Sequence, residues 1–350
     1  MALQDRALVV GINCYPAIGP LQGAEADARD FHGWVTDPTG GGVAPANATL
    51  ILGRLGPSGT ARDAEPTRAQ IEDFFRDVDA AANQNSAEGV GLAAGKRLYM
   101  FFSGHGFAPS FDRSAVLAAN TTPTAPDNLA CRLWADRLFA GGWFQEVLLF
   151  QDACRNRFGA GTLMPPFLAD RNAPGIARFY ALAGQDGKLA LEKPDSTGQN
   201  RGVFTLTLME GLRGHARDPI SKAITAASLK GYLQSNMKAK YTKAEQENEE
   251  NAQIPDVFDP DPFVIVPAPP GVVAVTVFPV RITLAAAGLK AQITDGTFTV
   301  IARNEGARDW QLSLPIGLYK VGVDGGGRKI FEVTGAFKAD GTEDIVDVTI

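Results

Sequence analysis

The chain is poor in the groups that carry nucleophilic, redox and metal chemistry: its 350 residues include three cysteines and three histidines. So few cysteines, and an odd number, cannot build a disulfide framework, and Cys14, Cys131 and Cys154 stand at no spacing a zinc site requires. A reducing compartment fits that usage. An excess of basic residues is also missing. The 33 Lys and Arg against 39 Asp and Glu leave a formal charge of -6, whereas nucleic acid and anionic membranes attract basic surfaces. Long hydrophobic runs are absent too. Ala7 to Ile12 is far shorter than a signal-peptide core, and no later stretch approaches the ~18 apolar residues of a membrane span. The expectation is a cytoplasmic protein with neither a nucleic-acid nor a membrane partner.

What is present is an ordinary globular composition, 45% hydrophobic and 21% charged, enough for one large domain and a small one. Short apolar runs alternate with amphipathic stretches, the pattern of helices layered on a mostly parallel sheet. Ala7 to Ile12, Thr49 to Leu52, Leu98 to Phe102, Val147 to Phe150, Arg178 to Ala183 and Phe263 to Val266 read as strands. Ala24, Ala28, Phe31 and Val35 share one helical face, as do Ile71, Phe74, Phe75 and Val78 behind a capping box of Thr67 and Gln70. Phe204, Leu208 and Leu212 mark another helix, and Leu229, Tyr232, Leu233 and Met237 one more. The Glu-rich stretch Glu245 to Glu250 reads as a solvated loop or helix end.

The Pro-rich segment 267–271 continues neither helix nor strand and separates an α/β domain, 1–266, from a C-terminal region, 272–350. There Trp310, Leu312 and Leu314, then Tyr319, Val321 and Val323, then Val346, Val348 and Ile350 alternate with polar residues, as in a small β-sandwich. A binding module for a protein partner and a stabilising appendage are both consistent with it.

In open α/β sheets ligands collect at the carboxyl ends of strands. One apolar strand runs into Ser103-Gly104-His105-Gly106, and the next ends Gln151-Asp152-Ala153-Cys154-Arg155. A parallel sheet brings such tips side by side, placing a thiol within reach of an imidazole that takes its proton. A cysteine alone is often a small buried hydrophobe and a histidine alone often structural. Their joint occurrence on consecutive strand tips argues for a site. Cys14 has no adjoining histidine and reads as packing; Cys131, His32 and His215 read as structural or surface residues.

These motifs resemble the caspase-like cysteine peptidases, and within them the metacaspase, orthocaspase and bacterial caspase-like branch. The resemblance runs through Ala7 to Asn13, Leu21 to Ala28, Ser103 to Gly106, Asp152 to Arg155 and Gly202 to Leu212. It implies a caspase-like α/β fold, a mostly parallel sheet flanked by helices, and a cysteine endopeptidase with Cys154 as nucleophile and His105 as acid-base partner. The backbone amides of Gly106 and Cys154 would stabilise the oxyanion. The caspase motif has Gln two residues before the nucleophile and Gly two after; here Asp152 and Asn156 stand there. By resemblance Asp152 lines the primary specificity pocket and Asp27 is its second acid, which favours Arg or Lys in the substrate and repels Asp. The bland alternatives are a strand-end turn residue for Asp152 and a helix-dipole partner for Asp27.

The resemblance further implies that Ala183, Gly184 and Gln185 pair with extended substrate, and that self-cleavage follows Arg155, Arg157, Arg171 or Arg178. No metal site is expected and the chemistry requires no cofactor; calcium activation enters by resemblance alone. Two other readings remain: a catalytically silent scaffold recruiting partners through the β-sandwich, and a thiol hydrolase or acyltransferase acting on a non-peptide acyl group.

Overall fold

A computed structural model describes residues 4–89, 91–110, 113–156, 176–251, 254–258, 260–270, 277–296, 298–334 and 345–350. The chain divides into two compact units, one of residues 1–217 and 224–266, the other of 218–223 and 267–350. The short excursion 218–223 carries no apolar periodicity, which is why its membership in the second unit has no signature in the sequence.

In the first unit the chain runs β1 (Arg6–Gly11), α1 (Ala24–Thr36), β2 (Ala48–Leu52), α2 (Arg68–Ala87) and β3 (Gly95–Ser103). It continues with β4 (Gly106–Ser110), β5 (Arg113–Leu117), β6 (Asn128–Leu129), α3 (Cys131–Ala140), β7 (Phe144–Asp152) and β8 (Ala177–Leu182). Then follow β9 (Glu192–Pro194), β10 (Asn200–Gly202), α4 (Val203–Glu210), β11 (Ile224–Thr225), α5 (Ala226–Asn236), α6 (Lys243–Glu247), β12 (Asp256–Val257) and β13 (Val264–Val266). The central sheet has the order β12-β8-β7-β3-β1-β2, parallel except for β12.

Its inner strands carry near-continuous apolar stretches, such as Leu98 to Phe102 and Val147 to Phe150, because helices cover both faces and successive side chains alternate between them. Leu8, Val10, Met100, Phe102 and Leu149 pack with Ile71, Phe74 and Phe75 of α2 and Leu138 of α3. Val9, Phe101, Leu148, Phe150 and Phe179 face Phe31 of α1, Phe204 and Leu208 of α4, and Leu229 of α5. Helix α2 starts where the Thr67–Gln70 pair predicts: each side chain takes the backbone N–H of the other residue.

One strand differs from the sequence reading. Val264–Val266 pairs with β11 in a separate two-stranded ladder, and the edge of the main sheet is Asp256–Val257. Two residues generate no periodicity, so that edge is invisible as a pattern. Among the described residues no helix is long and apolar enough to cross a membrane.

The second unit has β14 (Val277–Thr283), β15 (Ala291–Thr294), β16 (Val300–Asn304), β17 (Asp309–Pro315), β18 (Gly317–Val323), β19 (Arg328–Val333) and β20 (Val346–Thr349). They form sheets β17-β14-β20 and β16-β15-β18-β19, whose inward residues, among them Phe278, Ile282, Ile293, Val321 and Val333, share one apolar core.

Candidate active site

Register brings the two reactive loops together. Ser103 at the end of β3 pairs with Asp152 at the end of β7, so the residues that follow leave the sheet side by side. Their loops are tied by backbone bonds, Gly104 N to Asp152 O at 3.2 Å and Ala108 N to Asn156 O at 3.2 Å. His105 and Cys154 line one cavity of about 160 Å³, together with Asp152, Ala190 and Glu192. Gly106 opens β4, opposite Val116.

His105 is held by its ring: Nε2 lies 2.9 Å from the carbonyl oxygen of Gly19. A carbonyl only accepts, so Nε2 is the donor, which leaves Nδ1 as the ring nitrogen able to take up a proton. Gly19 has φ 96, a conformation that glycine adopts without strain. The Cys154 thiol is half-buried and points at the Ala190 carbonyl, 3.8 Å away. Burial is the main cause pushing its pKa up, and the charge of Asp152 adds to it. At rest the proton therefore sits on sulfur.

Two buried carboxyls, Asp152 in the cavity wall and Asp27 behind it, stand close together. Asp152 Oδ2 accepts from Thr205 N at 2.9 Å and Thr205 Oγ1 at 2.6 Å, which caps the first turn of α4. Asp27, on α1, accepts from Arg201 Nε at 2.6 Å through Oδ1, and from Gly202 N at 2.9 Å and Ser103 Oγ at 3.3 Å through Oδ2. Gly202 separates the two acids. A Cβ there would lie 2.0 Å from Asp152 Oδ2 and 2.9 Å from Asp27 Oδ2. Both carboxyls are pushed upward, chiefly by burial; repulsion by Asp152 adds at Asp27 and the charge of Glu192 adds at Asp152. Gly202→Ala forces a methyl into that gap and is expected to cost about 1–3 kcal/mol, read as a lower urea midpoint at unchanged m-value.

The structure thus brings Asp27 and Asp152 together, with a difference. Asp152 lines the cavity, whereas Asp27 lies behind Gly202, its charge offset by Arg201, which also bonds Asp30 at 2.8 Å. Sequence reasoning missed Glu192, which lines the cavity while its carboxylate accepts from Gln22 N at 3.0 Å and Gly23 N at 2.8 Å, at the start of α1. No motif surrounds it. Only the ladder of β9 on β10, which abuts α1, places it there.

The residues expected to pair with substrate sit at the end of β8 and in the turn that follows it. Ala183 extends β8 by bonding Gln151 O at 2.9 Å, the Gly184 carbonyl is taken by Arg155, and Gln185 is an exposed turn residue. The chain then returns past the cleft, where Ala190, Leu191 and Glu192 line the cavity. Of the candidate self-cleavage positions, Arg155 is fully buried on Asp256 and Gly184, and Arg178 pairs with Val147 inside the central sheet, so neither is presented as an extended peptide. Arg157 and Arg171 lie outside the described residues. Cys131 is buried against Leu129, and burial, then Glu25, pushes the Cys14 thiol up.

The search of curated proteins matches none. Among solved structures, similarity extends to Caspase-1 from Spodoptera frugiperda, at 13% identity and TM-score 0.47 over 78% of this chain and 94% of that one. It extends also to a Geobacter sulfurreducens protein, at 18% identity and TM-score 0.42 over 76% and 98%. The caspase-domain family model matches residues 4–259, a span that takes in both reactive loops and the sheet that aligns them. That match covers well over half of the sequence, and the chain belongs to the caspase-domain family of cysteine peptidases.

Proposed function

We propose that this caspase-domain protein is an endopeptidase that cleaves after Arg or Lys, with Cys154 as nucleophile and His105 as its acid-base partner, akin to the metacaspase branch. The observation that carries the reading is the cavity itself: the thiol and imidazole share it with the carboxylates of Asp152 and Glu192, and among the described residues no Lys or Arg lines it. A cationic side chain entering it meets carboxylate acceptors.

In the proposed reaction His105 Nδ1 removes the Cys154 proton as sulfur attacks the scissile carbonyl. The tetrahedral oxyanion collapses with cleavage of the C–N bond, and His105 returns the proton to the leaving amine. Water, deprotonated by the same nitrogen, then hydrolyses the thioester and regenerates the thiol. Main-chain N–H groups of Gly106 and Cys154 are the candidate oxyanion donors. Because the thiol is neutral at rest, its ionisation is tied to the arrival of substrate beside the ring.

The test is a panel of matched fluorogenic peptides with Arg, Lys, Asp or a neutral residue before the cleaved bond. Arg and Lys peptides are expected to be turned over; preference for Asp overturns the specificity. The pH dependence has a definite sign. A raised carboxyl pKa means the neutral acid persists above the usual carboxylate range, so KM for Arg peptides should fall as pH rises through the shifted values while KM for neutral peptides stays flat. The same shift makes the folded chain hold protons the unfolded chain releases, so this pair's contribution to stability declines as pH rises above about 4.

A further inference from the structure

We infer that Tyr15 is the positioning residue of the dyad, holding the His105 backbone and the carbonyl that orients its ring through one buried side chain and one turn; the inference rests on the peptidase reading above. Tyr15 follows β1, whose last residue, Gly11, pairs with Ser103 at the root of the His105 loop, so sheet register brings it there. It is 1% exposed.

Its hydroxyl accepts the backbone N–H of His105 at 3.1 Å and donates its single proton to Leu117 O at 3.0 Å. Leu117 N in turn donates to His105 O at 2.8 Å. The peptide groups on both sides of His105 are thereby fixed, one through the phenol and one through the strand it bonds. The Tyr15 ring meets the imidazole edge-on at 4.7 Å between centroids. The Tyr15 main-chain carbonyl accepts Gly19 N at 3.1 Å, closing the turn that presents Gly19 O to His105 Nε2. One residue therefore restrains the histidine at its backbone, at its ring face and at its protonated nitrogen.

The space it uses is reserved by the sequence. A Cβ on Gly104 would lie 2.5 Å from the Tyr15 hydroxyl oxygen, so the bond to His105 requires glycine at 104. Burial raises the phenol pKa, and the group remains a donor at any pH at which the protein is assayed.

Tyr15→Phe keeps the ring and removes the oxygen. In the full-length chain it is expected to lower kcat roughly ten- to a hundredfold, the scale on which loosened catalytic geometry acts, with KM for an Arg peptide within about twofold. The pH profile of iodoacetamide alkylation, followed at the Cys154 peptide by mass spectrometry, should shift because the imidazole no longer holds its place. Gly104→Ala should also lower kcat by driving the hydroxyl away, and in the Tyr15→Phe background the same methyl should cost much less, since the oxygen it meets is gone.

A role in stability alone predicts a lower melting temperature with unchanged kcat per folded molecule and an unchanged alkylation profile; that outcome overturns the inference. If Tyr15→Phe does not fold, Gly104→Ala alone decides, and wild-type kcat in it is equally fatal. If the unsubstituted chain cleaves no peptide, the peptidase reading falls, while the alkylation profile still tests the placement of His105 against Cys154.

Discussion

Cys154→Ala should abolish peptide hydrolysis, with a fall in kcat of at least about 10⁴-fold, because no other described residue lining the cavity can form the thioester. Asp152 and Glu192 share the cavity but are held by hydrogen bonds to Thr205 and to the start of α1, and His105 is the base in the proposed reaction. The substitution removes one sulfur from a half-buried position, so the melting temperature should barely change. His105→Ala should lower kcat by about 10²–10⁴-fold, the range ascribed to a general acid-base group. The half-buried thiol, already pushed toward its neutral form, would lose the proton acceptor that the proposed reaction gives it. Steady-state kinetics on an Arg peptide, with thermal unfolding as the control for folding, read both. Activity retained in Cys154→Ala would remove the chemistry proposed for this cavity.

The second large effect is on Asp152→Asn, which keeps the size of the side chain and an oxygen for Thr205 but deletes the charge. The kcat/KM for Arg and Lys peptides should fall about 10²–10³-fold, the scale of losing one partner of a desolvated charge pair, while neutral peptides change little. The thiol should respond in the opposite direction. Asp152 is one of the causes that raise the Cys154 pKa, so alkylation at fixed neutral pH should become faster. Slower use of basic substrates with a more reactive thiol separates a specificity residue from general damage to the site. An equal loss on basic and neutral substrates sinks the assignment. Asp27→Asn should act more weakly on KM, because Asp27 is shielded by Gly202 and neutralised by Arg201, and its main penalty should be in stability through the broken buried pair.

Much of this site was legible because it depends on local pattern. His105 and Cys154 follow strands whose continuous apolar runs leave no doubt about period or burial, and both residues sit in short motifs of glycines and polar groups at the strand tips. Asp152 is legible for the same reason, being two residues from the nucleophile. Glu192 and Tyr15 are not, since the first is an acid in an unremarkable hairpin and the second an aromatic residue among apolar neighbours. Their importance arises from hydrogen bonds that span 169 and 90 residues. The expectation for substrate pairing fell on Ala183 to Gln185 because the strand end is visible in sequence, whereas the return of the chain past the cavity at Ala190 to Glu192 is not. Likewise Arg155 looked available in sequence and is fully buried in the fold.

By itself the sequence determined the alternation of apolar strands and amphipathic helices, the change to period-two patterning after Pro267, and the pairing of a Gly-His-Gly loop with an Asp-Ala-Cys loop on neighbouring strands. Those are properties of residues a few positions apart, which periodicity, capping and turn chemistry record directly. Only the tertiary structure decided which acids share the cavity with the thiol, that Gly19 sets the imidazole tautomer, and that Gly202 is wedged between two buried carboxylates. Each of these depends on distance between segments far apart in the chain, and the energies concerned, desolvation and charge repulsion above all, exist only once the sheet has closed around them.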